Sequence, residues 1–242
     1  ASEGLGAAFA LALARRGLHL VLVARRATAL RSLAAELAVH GVEVRVVPLD
    51  LGDDGLAGRL EEATAGLDLG LLVYNAAFAP VGPFLDQPLE DLLAVVDVNV
   101  RGPLQVVHTL APRMVERGRG GIVLMSSLAG QQGGPRLATY AASKAFNTVL
   151  GEGLWHELRA SGVDVVVVPA GAIRTPGLQR AGGKEPPGIV DAAVVVDVAL
   201  GGLGRGPRAA PGWLTRLSLL VLAWLPRRAS IAILAANTKD LR

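Results

Sequence analysis

The sequence contains no cysteine, and this absence excludes several kinds of site. Disulfide scaffolds, zinc knuckles, iron–sulfur clusters and thiol catalysis all depend on cysteine side chains. The four histidines are dispersed and no pair has the spacing of metal ligands, so we predict no metal site. A chain without cysteine also fits a reducing compartment, and we expect the protein to be cytoplasmic.

Long hydrophobic runs are missing as well, and so are basic stripes with interleaved aromatic residues. The longest apolar stretch, 217–225, is shorter than the roughly 20 residues that a membrane span requires. Aromatic residues make up 4% of the chain, and the basic residues behind its net charge of +3 are scattered or in short pairs. We therefore predict no nucleic-acid partner.

The composition of the chain is that of a folded domain. Of its 242 residues, 51% are hydrophobic and 19% are charged, which excludes a disordered chain. A chain of this length buries enough surface in one core to be stable without disulfide bonds. It shows no internal repeat and no linker, so the sequence predicts a single domain over 1–242.

Apolar runs of strand length alternate with helical patterns along the chain. The pattern predicts strands at 18–24, 42–49, 69–74, 121–126 and 163–168. It predicts helices at 5–16, 27–40, 53–65, 89–116, 138–161 and 190–203, with a break near 102–103. Strands of this kind, each followed by a helix, predict an α/β fold with a doubly wound, Rossmann-type parallel sheet.

Two segments depart from this alternation. Residues 171–190 are rich in glycine, proline and polar residues, and so long a loop is typical of a substrate lid. Residues 205–212 have little strand character, and 213–242 are predicted to form two C-terminal helices separated by Pro226. For 213–225 we favour packing over a substrate pocket or a neighbouring subunit; contact with a membrane surface is the alternative.

Tyr140 and Lys144 form the most informative pair in the sequence. They are four residues apart on a predicted helix, so their side chains share one face. A free phenol has a pKa of about 10, and a nearby ammonium lowers it toward the range useful for proton transfer to a carbonyl oxygen. Ser127 follows a predicted strand end, where ligands of α/β sheets bind, and we expect it to face this pair.

Other polar residues and glycines also stand at predicted strand ends or turns. The glycines of 2–6 open a helix, where backbone N–H groups can approach a pyrophosphate, although an ordinary turn explains them equally well. Asn75 and Asp50 follow strands and fit either a turn or a binding role. Asn99 lies in a helical stretch, where the alternative role is to cap a kink.

Arg25 and Arg26 follow the carboxyl end of the predicted strand 18–24. At this place an acidic side chain binds a ribose 2′-hydroxyl, whereas arginine accommodates a 2′-phosphate. No Asp or Glu stands at positions 24–27, so nothing acidic is expected there to repel a phosphate. We expect NADP(H) to be preferred over NAD(H), chiefly through Arg25, with Arg26 as the other candidate; a solvated basic turn is the alternative.

These residues resemble the classical short-chain dehydrogenase/reductase family. The segment 2–6, which holds Ser2, Gly4 and Gly6, is similar to the end of the family's T-G-x-x-x-G-x-G cofactor loop. Asp50 resembles the family's adenine-contacting acidic residue, and 75–78 resembles N-N-A-G with Asn75 first. Ser127, Tyr140 and Lys144 match the catalytic Ser and Y-x-x-x-K in type and spacing, and Asn99 matches the Asn of the family's fourth helix.

The resemblance implies an oxidoreductase that passes a hydride between a nicotinamide cofactor and a carbonyl or alcohol substrate. Tyr140 would exchange a proton with the substrate oxygen, Ser127 would position that oxygen, and Asn99 would hold a proton-relay water. The implied cofactor-binding residues are Ser2, Gly4, Gly6, Arg25, Asp50, Asn75, Lys144, Gly171 and Thr175. The apolar surroundings suggest a hydrophobic substrate, and the family implies a homodimer or homotetramer.

The sequence departs from the family at its start. The family's first strand, with the Thr and first Gly of the cofactor loop, is missing from this sequence, so we expect a domain truncated at its N-terminus. This departure leaves open a second function, that of a catalytically silent dinucleotide-binding or regulatory module on the same fold.

Overall fold

The computed structural model of the chain describes residues 1–175 and 188–238. In these residues the strands are β1 (Leu20–Ala24), β2 (Val44–Pro48), β3 (Leu71–Tyr74), β4 (Gly120–Ser127), β5 (Val163–Ala170), β6 (Ile173–Arg174) and β7 (Val190–Asp191). The helices are α1 (Gly4–Ala14), α2 (Ala27–Leu37), α3 (Leu56–Thr64), α4 (Leu89–Val96), α5 (Gly102–Arg117), α6 (Ala138–Arg159), α7 (Ala192–Gly202), α8 (Trp213–Trp224) and α9 (Arg227–Thr238). The predicted alternation of strands and helices is confirmed.

All strand pairings in the described residues are parallel. β1 pairs with β2, and β4 lies between β3 and β5 in a second sheet. β6 and β7 form a third, two-residue pair. Among the described strands none bridges β1 and β3, so the two larger sheets are not joined by backbone hydrogen bonds. The long β-branched runs of β4 and β5 are buried almost throughout, as expected of parallel strands covered on both faces.

Helices cover both faces of the sheet that contains β4. On one face α3, α5 and α6 pack around a core that includes Leu110, Met114 and Ile122. On the other face α1 and α7 pack on β4 and β5 through a core that includes Phe9 and Val196. This double covering confirms the predicted α/β, Rossmann-type fold of a single domain.

Two details differ from the sequence prediction. The long helical pattern of 89–116 breaks earlier than 102–103, in a π-helical turn at Asp97–Arg101. Residues 205–212, for which the sequence shows little strand character, pair with β5: Val167 N donates to Pro207 O at 2.8 Å and Ala209 N donates to Val167 O at 2.9 Å. The isolated parallel bridge between Val167 and Arg208 extends the sheet beyond β5, although too briefly to have a strand's sequence signature.

The predicted lid, 171–190, is only partly described. Its two ends are held together by the pairing of β6 with β7, in which Ile173 lies opposite Val190. Residues 176–187 of the lid and 239–242 of the predicted C-terminal helices lie outside the described residues. Within the described part of the chain, no helix combines the length and apolar character that crossing a membrane requires.

Candidate active site

The carboxyl ends of the strands bring most of the predicted residues to one side of the molecule. Arg25 follows β1, Asp50 lies just after β2, Asn75 follows β3, and Ser127 is the last residue of β4. In α/β sheets this edge is where ligands bind. The alternation of strands and helices is therefore what assembles residues that are far apart in sequence.

Ser127, Tyr140 and Lys144 come together where β4 meets the first turns of α6. The Ser127 and Tyr140 side chains are hydrogen-bonded to each other. The Lys144 Nζ lies 5.7 Å from the centroid of the Tyr140 ring and donates to Met125 O at 3.1 Å. Lys144 is only 3% exposed, so it is a cation held inside the protein beside a half-buried phenol.

The placement of Lys144 depends on contacts that the sequence reasoning missed. Ser126 Oγ donates to the backbone oxygen of Lys144 at 2.8 Å and lies 2.7 Å from Thr148 Oγ1. A Cβ at Gly130 would lie 2.7 Å from the Lys144 carbonyl carbon, so glycine allows the turn after β4 to contact the backbone of α6. These contacts fix α6 against β4. The only local signal was the polar character of Ser126 and Thr148 within otherwise apolar elements.

Burial has opposite effects on the two ionisable groups. It raises the pKa of the Tyr140 phenol, and the hydrogen bond from Ser127 opposes this rise. It lowers the pKa of the Lys144 ammonium from 10.5 to about 8. This corrects the expectation that Lys144 lowers the pKa of Tyr140: desolvation of the phenol dominates, and the site as folded favours the protonated form of Tyr140.

Asn99 is fully buried in the π-helical turn between α4 and α5. Its Oδ1 accepts from Phe78 N at 2.8 Å, while its Nδ2 donates to Phe78 O at 2.9 Å and to Ser143 Oγ at 3.0 Å. Ser143 Oγ in turn donates to Tyr140 O at 2.7 Å. Asn99 thus ties the loop after β3 to the segment of α6 that contains Tyr140 and Ser143, while its expected role in holding a relay water stays a prediction.

A cleft of about 210 Å³ lies at the carboxyl ends of β1, β2 and β3. Three predicted cofactor-binding residues line it, Ser2, Arg25 and Asp50. Asp50 also accepts a hydrogen bond from Gly52 N at 3.0 Å. A turn role and a binding role for Asp50 are therefore compatible. Its carboxylate lies 3.8 Å from Arg25 Nη1, a loose contact in which the arginine side chain remains 71% exposed.

The same cleft contains a carboxylate that the sequence reasoning missed. Glu3 lines the cleft and its Oε1 lies 3.0 Å from Arg26 Nη2. The expectation that nothing acidic stands near the two arginines is therefore wrong, since it considered only the residues next to them in sequence. Arg26 is engaged with Glu3, whereas Arg25 extends from the wall of the cleft with weaker pairing.

The remaining predicted cofactor residues cluster at the start of α1. Gly4 adopts φ +57°, and a Cβ there would lie 3.4 Å from Thr175 Cβ. A Cβ at Gly6 would lie 2.9 Å from Ala1 Cα and 3.2 Å from Asn75 Nδ2, a contact too close for any other residue. Gly171 lies further off, against the turn after β4 and α8. Among the described residues, no group of three or more histidine or acidic side chains could hold a metal ion.

Comparison with known proteins points to one family. The family model described as short chain dehydrogenase matches residues 1–185. A 7beta-hydroxysteroid dehydrogenase of Clostridium sardiniense is 35% identical over 201 residues, which cover 82% of this chain and 76% of that protein. A very-long-chain 3-oxoacyl-CoA reductase of Mycosarcoma maydis is 39% identical over 171 residues, covering 68% of this chain. That match spans 49% of the reductase, so the chain corresponds to about half of its length.

Solved structures agree with the sequence comparisons. A structure from work on 7beta-hydroxysteroid dehydrogenase stereoselectivity superimposes with a TM-score of 0.91 at 31% identity, covering 97% of this chain and 94% of that one. A short-chain dehydrogenase from Sphingobium yanoikuyae in complex with NADPH superimposes with a TM-score of 0.80 at 32% identity, covering 100% and 93% of the two chains. Both similarities extend over the whole fold described above.

Proposed function

The chain belongs to the short-chain dehydrogenase family, and on this basis we propose that it is an NADPH-dependent oxidoreductase that reduces the ketone of a hydrophobic substrate to an alcohol. The observation that carries the proposal is the hydrogen-bonded pair of Ser127 and Tyr140 beside the buried ammonium of Lys144. A buried cation is costly to a fold. Its presence beside a phenol at the ligand-binding edge of the sheet favours a catalytic role over a purely structural one.

The start of α1 and the cleft beside it fit a dinucleotide. Glycine at position 6 leaves the backbone close to Asn75, and the first backbone N–H groups of α1 are suited to a pyrophosphate. Arg25 and Asp50 would contact the adenosine end, and Gly4 and Thr175 would lie nearer the nicotinamide end. When bound, the nicotinamide supplies the hydride for the carbonyl carbon.

Residues of the chain position the substrate oxygen and donate a proton to it. Ser127 Oγ donates a hydrogen bond that positions the carbonyl oxygen. Tyr140 Oη donates the proton, and burial, which raises the pKa of the phenol, keeps it in the protonated form that a proton donor requires. Lys144 carries positive charge below about pH 8 and stabilises the phenolate that remains after proton transfer.

The surroundings of Ser127 support a hydrophobic substrate. The turn at Leu128–Gln131 contacts α8, and the next glycines, Gly133 and Gly134, face Ile231 and Leu234 of α9. The names of the two relatives refer to a steroid and to a very-long-chain acyl group, both largely apolar. We therefore place the substrate among bulky apolar ketones, a class that includes ring ketones and 3-oxoacyl thioesters.

Arg25 supports the preference for NADPH. Its guanidinium is mostly exposed at the cleft wall and is held only loosely by Asp50 at 3.8 Å, so it is available for a 2′-phosphate. A hydrogen bond to a charged group contributes about 1.5–3 kcal/mol, or roughly 10- to 150-fold in affinity. Because solvent and salt screen an exposed site, the lower end of this range applies. The similar structure bound to NADPH is consistent with this preference.

The experiment that tests the proposal is a panel of apolar ketones assayed with NADPH and with NADH. We expect turnover with at least one bulky ketone and a higher kcat/KM with NADPH. Arg25→Asp should lower the NADPH/NADH ratio of kcat/KM by about ten-fold or more. Arg26→Asp, whose arginine is already paired with Glu3, is the matched control and should lower it less. Cofactor binding without turnover of any carbonyl compound would instead indicate a silent dinucleotide-binding module, and a preference for NADH would contradict the role of Arg25.

A further inference from the structure

Helix α8, which precedes the last described helix α9, exposes large apolar side chains to solvent in addition to those that pack on the domain. Thr215 is buried and Ser218 half-buried against the domain, while large apolar side chains face outward. The outward side chains are Trp213 at 71% exposure, Leu217 at 48%, Leu220 at 63%, Val221 at 46% and Trp224 at 89%. On an ordinary surface helix the apolar stripe faces the core and the polar face meets water. We call these five residues the outer stripe.

The spacing of the outer stripe makes it one continuous surface. Its members recur at intervals of three and four residues over the whole length of α8, so they lie along one side of the helix. A tryptophan stands at each end. Contacts of Thr215 with Gly171 and of Leu214 with Gly188 fix the opposite side of α8 to the domain, so the helix presents the stripe in a defined orientation.

The sequence around the stripe is rich in basic residues. From residue 198 to residue 239 the sequence contains five arginines, one lysine and no acidic residue. Arg216 projects from α8, and Arg227 and Arg228 begin α9 at the far end of the stripe; all three are exposed. Arg205, Arg208 and Arg216 also line a hollow beside α8, where Arg208 pairs with Glu152 and the nearby Asp197 pairs with Arg16. The positive charge thus extends along one side of the helix.

From this combination we infer that the outer stripe docks the protein on the surface of an anionic lipid bilayer, with α8 lying in the plane of the interface. A helix of 12 residues is too short to span a bilayer, but an apolar face with flanking arginines suits the boundary between headgroups and acyl chains. Tryptophan is enriched at this boundary because its ring is apolar and its N–H is polar. Arginines beside the stripe would contact anionic headgroups.

A second copy of this chain fits the outer stripe less well. Closed dimers use the same patch on both subunits, so two outer stripes in contact would bring their arginines together. The segment 198–239 contains no carboxylate, and the nearby Glu152 and Asp197 are already paired with Arg208 and Arg16, so little offsets this repulsion. An anionic surface, by contrast, complements both the apolar stripe and the charge. The inference does not rest on the proposed enzymatic function, because it concerns a face that contains none of the proposed catalytic residues.

The test is flotation of the purified chain with vesicles, without substrate or cofactor. One vesicle preparation contains about three parts phosphatidylcholine to one part phosphatidylglycerol, and the other contains phosphatidylcholine alone. We expect binding to the anionic vesicles to exceed binding to the neutral ones by at least about ten-fold. Binding should be accompanied by a blue shift of tryptophan fluorescence, since Trp213 and Trp224 leave water.

Two double variants separate the contributions of the stripe and of the charge. Trp213→Ala/Trp224→Ala should weaken binding to anionic vesicles by about ten-fold or more. Arg216→Gln/Arg228→Gln should weaken it by about 25-fold, at roughly five-fold per arginine near the surface. Phe84→Ala/Leu85→Ala, which removes apolar side chains exposed to 54% and 92% elsewhere, is the matched control and should bind as wild type does.

The substituted side chains are exposed, so thermal unfolding should confirm that each variant folds. Equal binding to neutral and anionic vesicles, no binding at all, or wild-type binding by the tryptophan variant would each overturn the inference. A halved mass of the tryptophan variant in light scattering would assign the outer stripe to a second copy and would also overturn it.

Discussion

Burial of Lys144 places its charge where the proposed chemistry uses it, but this burial destabilises the folded protein. Its ammonium is buried, is paired with a single backbone carbonyl, and has its pKa lowered to about 8. Because the folded-state pKa lies below the unfolded value of 10.5, the charged form is disfavoured in the folded protein. The resulting cost is fully present below about pH 8 and disappears as the pH rises through the interval up to 10.5.

Lys144→Met is therefore expected to stabilise the protein while abolishing turnover. The lowered pKa corresponds to a cost of about 3 kcal/mol, and the lost hydrogen bond to Met125 returns about 1 kcal/mol, so the net gain is about 2 kcal/mol near neutral pH. Urea unfolding of the cofactor-free protein at pH 7 measures the gain, which should shrink as the pH is raised toward 10. Arg31→Met, on an exposed part of α2, is the control and should change stability by less than about 0.5 kcal/mol. A loss of stability in Lys144→Met at pH 7 would contradict the assigned cost.

At the scale of elements, the π-helical turn at Asp97–Arg101 shows how local structure positions the site. One additional residue in this turn changes the direction of the following side chains, and Asn99 points inward to Phe78 and Ser143. The glycine and proline at 102–103 indicated a break in the helical pattern. They could not indicate a π turn, because the partners of Asn99 lie 21 and 44 residues away in sequence.

Asn99→Ala should destabilise the domain through this turn. The substitution leaves the Phe78 backbone groups and Ser143 Oγ without their amide partner, which we expect to cost about 2 kcal/mol. Asp97→Ala in the same turn removes only an exposed ion pair with Arg101 and should cost no more than about 0.5 kcal/mol. Chemical denaturation of the two variants measures the difference. Equal stabilities would mean that Asn99 does not hold the loop after β3 to α6.

More of the fold than of the site could be predicted from the sequence. Apolar runs and helical spacing identified the main strands and helices, because those signals are local in sequence. The pair of Tyr140 and Lys144 was visible for the same reason, as two residues on one face of one helix. Contacts between distant segments were not visible: Ser126 with Lys144, Glu3 with Arg26, and the bridge from Val167 to Arg208 depend on how the elements pack. The direction of the pKa shift of Tyr140 was missed because burial is a property of the folded molecule.

At the scale of the whole molecule, α4, α5 and α6 present a second exposed apolar surface. It includes Leu89, Leu93, Leu104 and Val149, and α4 contacts α6 directly, so these side chains lie on adjoining helices. Exposed apolar patches of this kind mark interaction surfaces on soluble proteins. This surface supports the expectation of a homodimer or homotetramer through the helices of 89–116 and 138–161.

We expect charge placed on this surface to prevent oligomerisation. Leu93→Glu/Val149→Glu would put carboxylates into an apolar interface, and light scattering should show a shift toward the monomer mass. Val39→Glu, at a site exposed to 81% on another part of the surface, is the control and should keep the wild-type mass. A wild-type protein that is already monomeric at micromolar concentration would contradict the expectation.

The role of Tyr140 as the proton donor is tested most directly by comparing the two tyrosines of the chain. Tyr74 is buried and Tyr140 half-buried, but Tyr140 contacts Ser127 whereas the Tyr74 hydroxyl donates to Val98 O at 2.5 Å. We predict that Tyr140→Phe lowers kcat for ketone reduction by about 10²- to 10⁴-fold, with NADPH binding retained. Tyr74→Phe should lose about 1 kcal/mol of stability and keep kcat near that of wild type. If Tyr140→Phe kept more than half of the wild-type kcat, or if both variants lost kcat equally, Tyr140 would not be the proton donor.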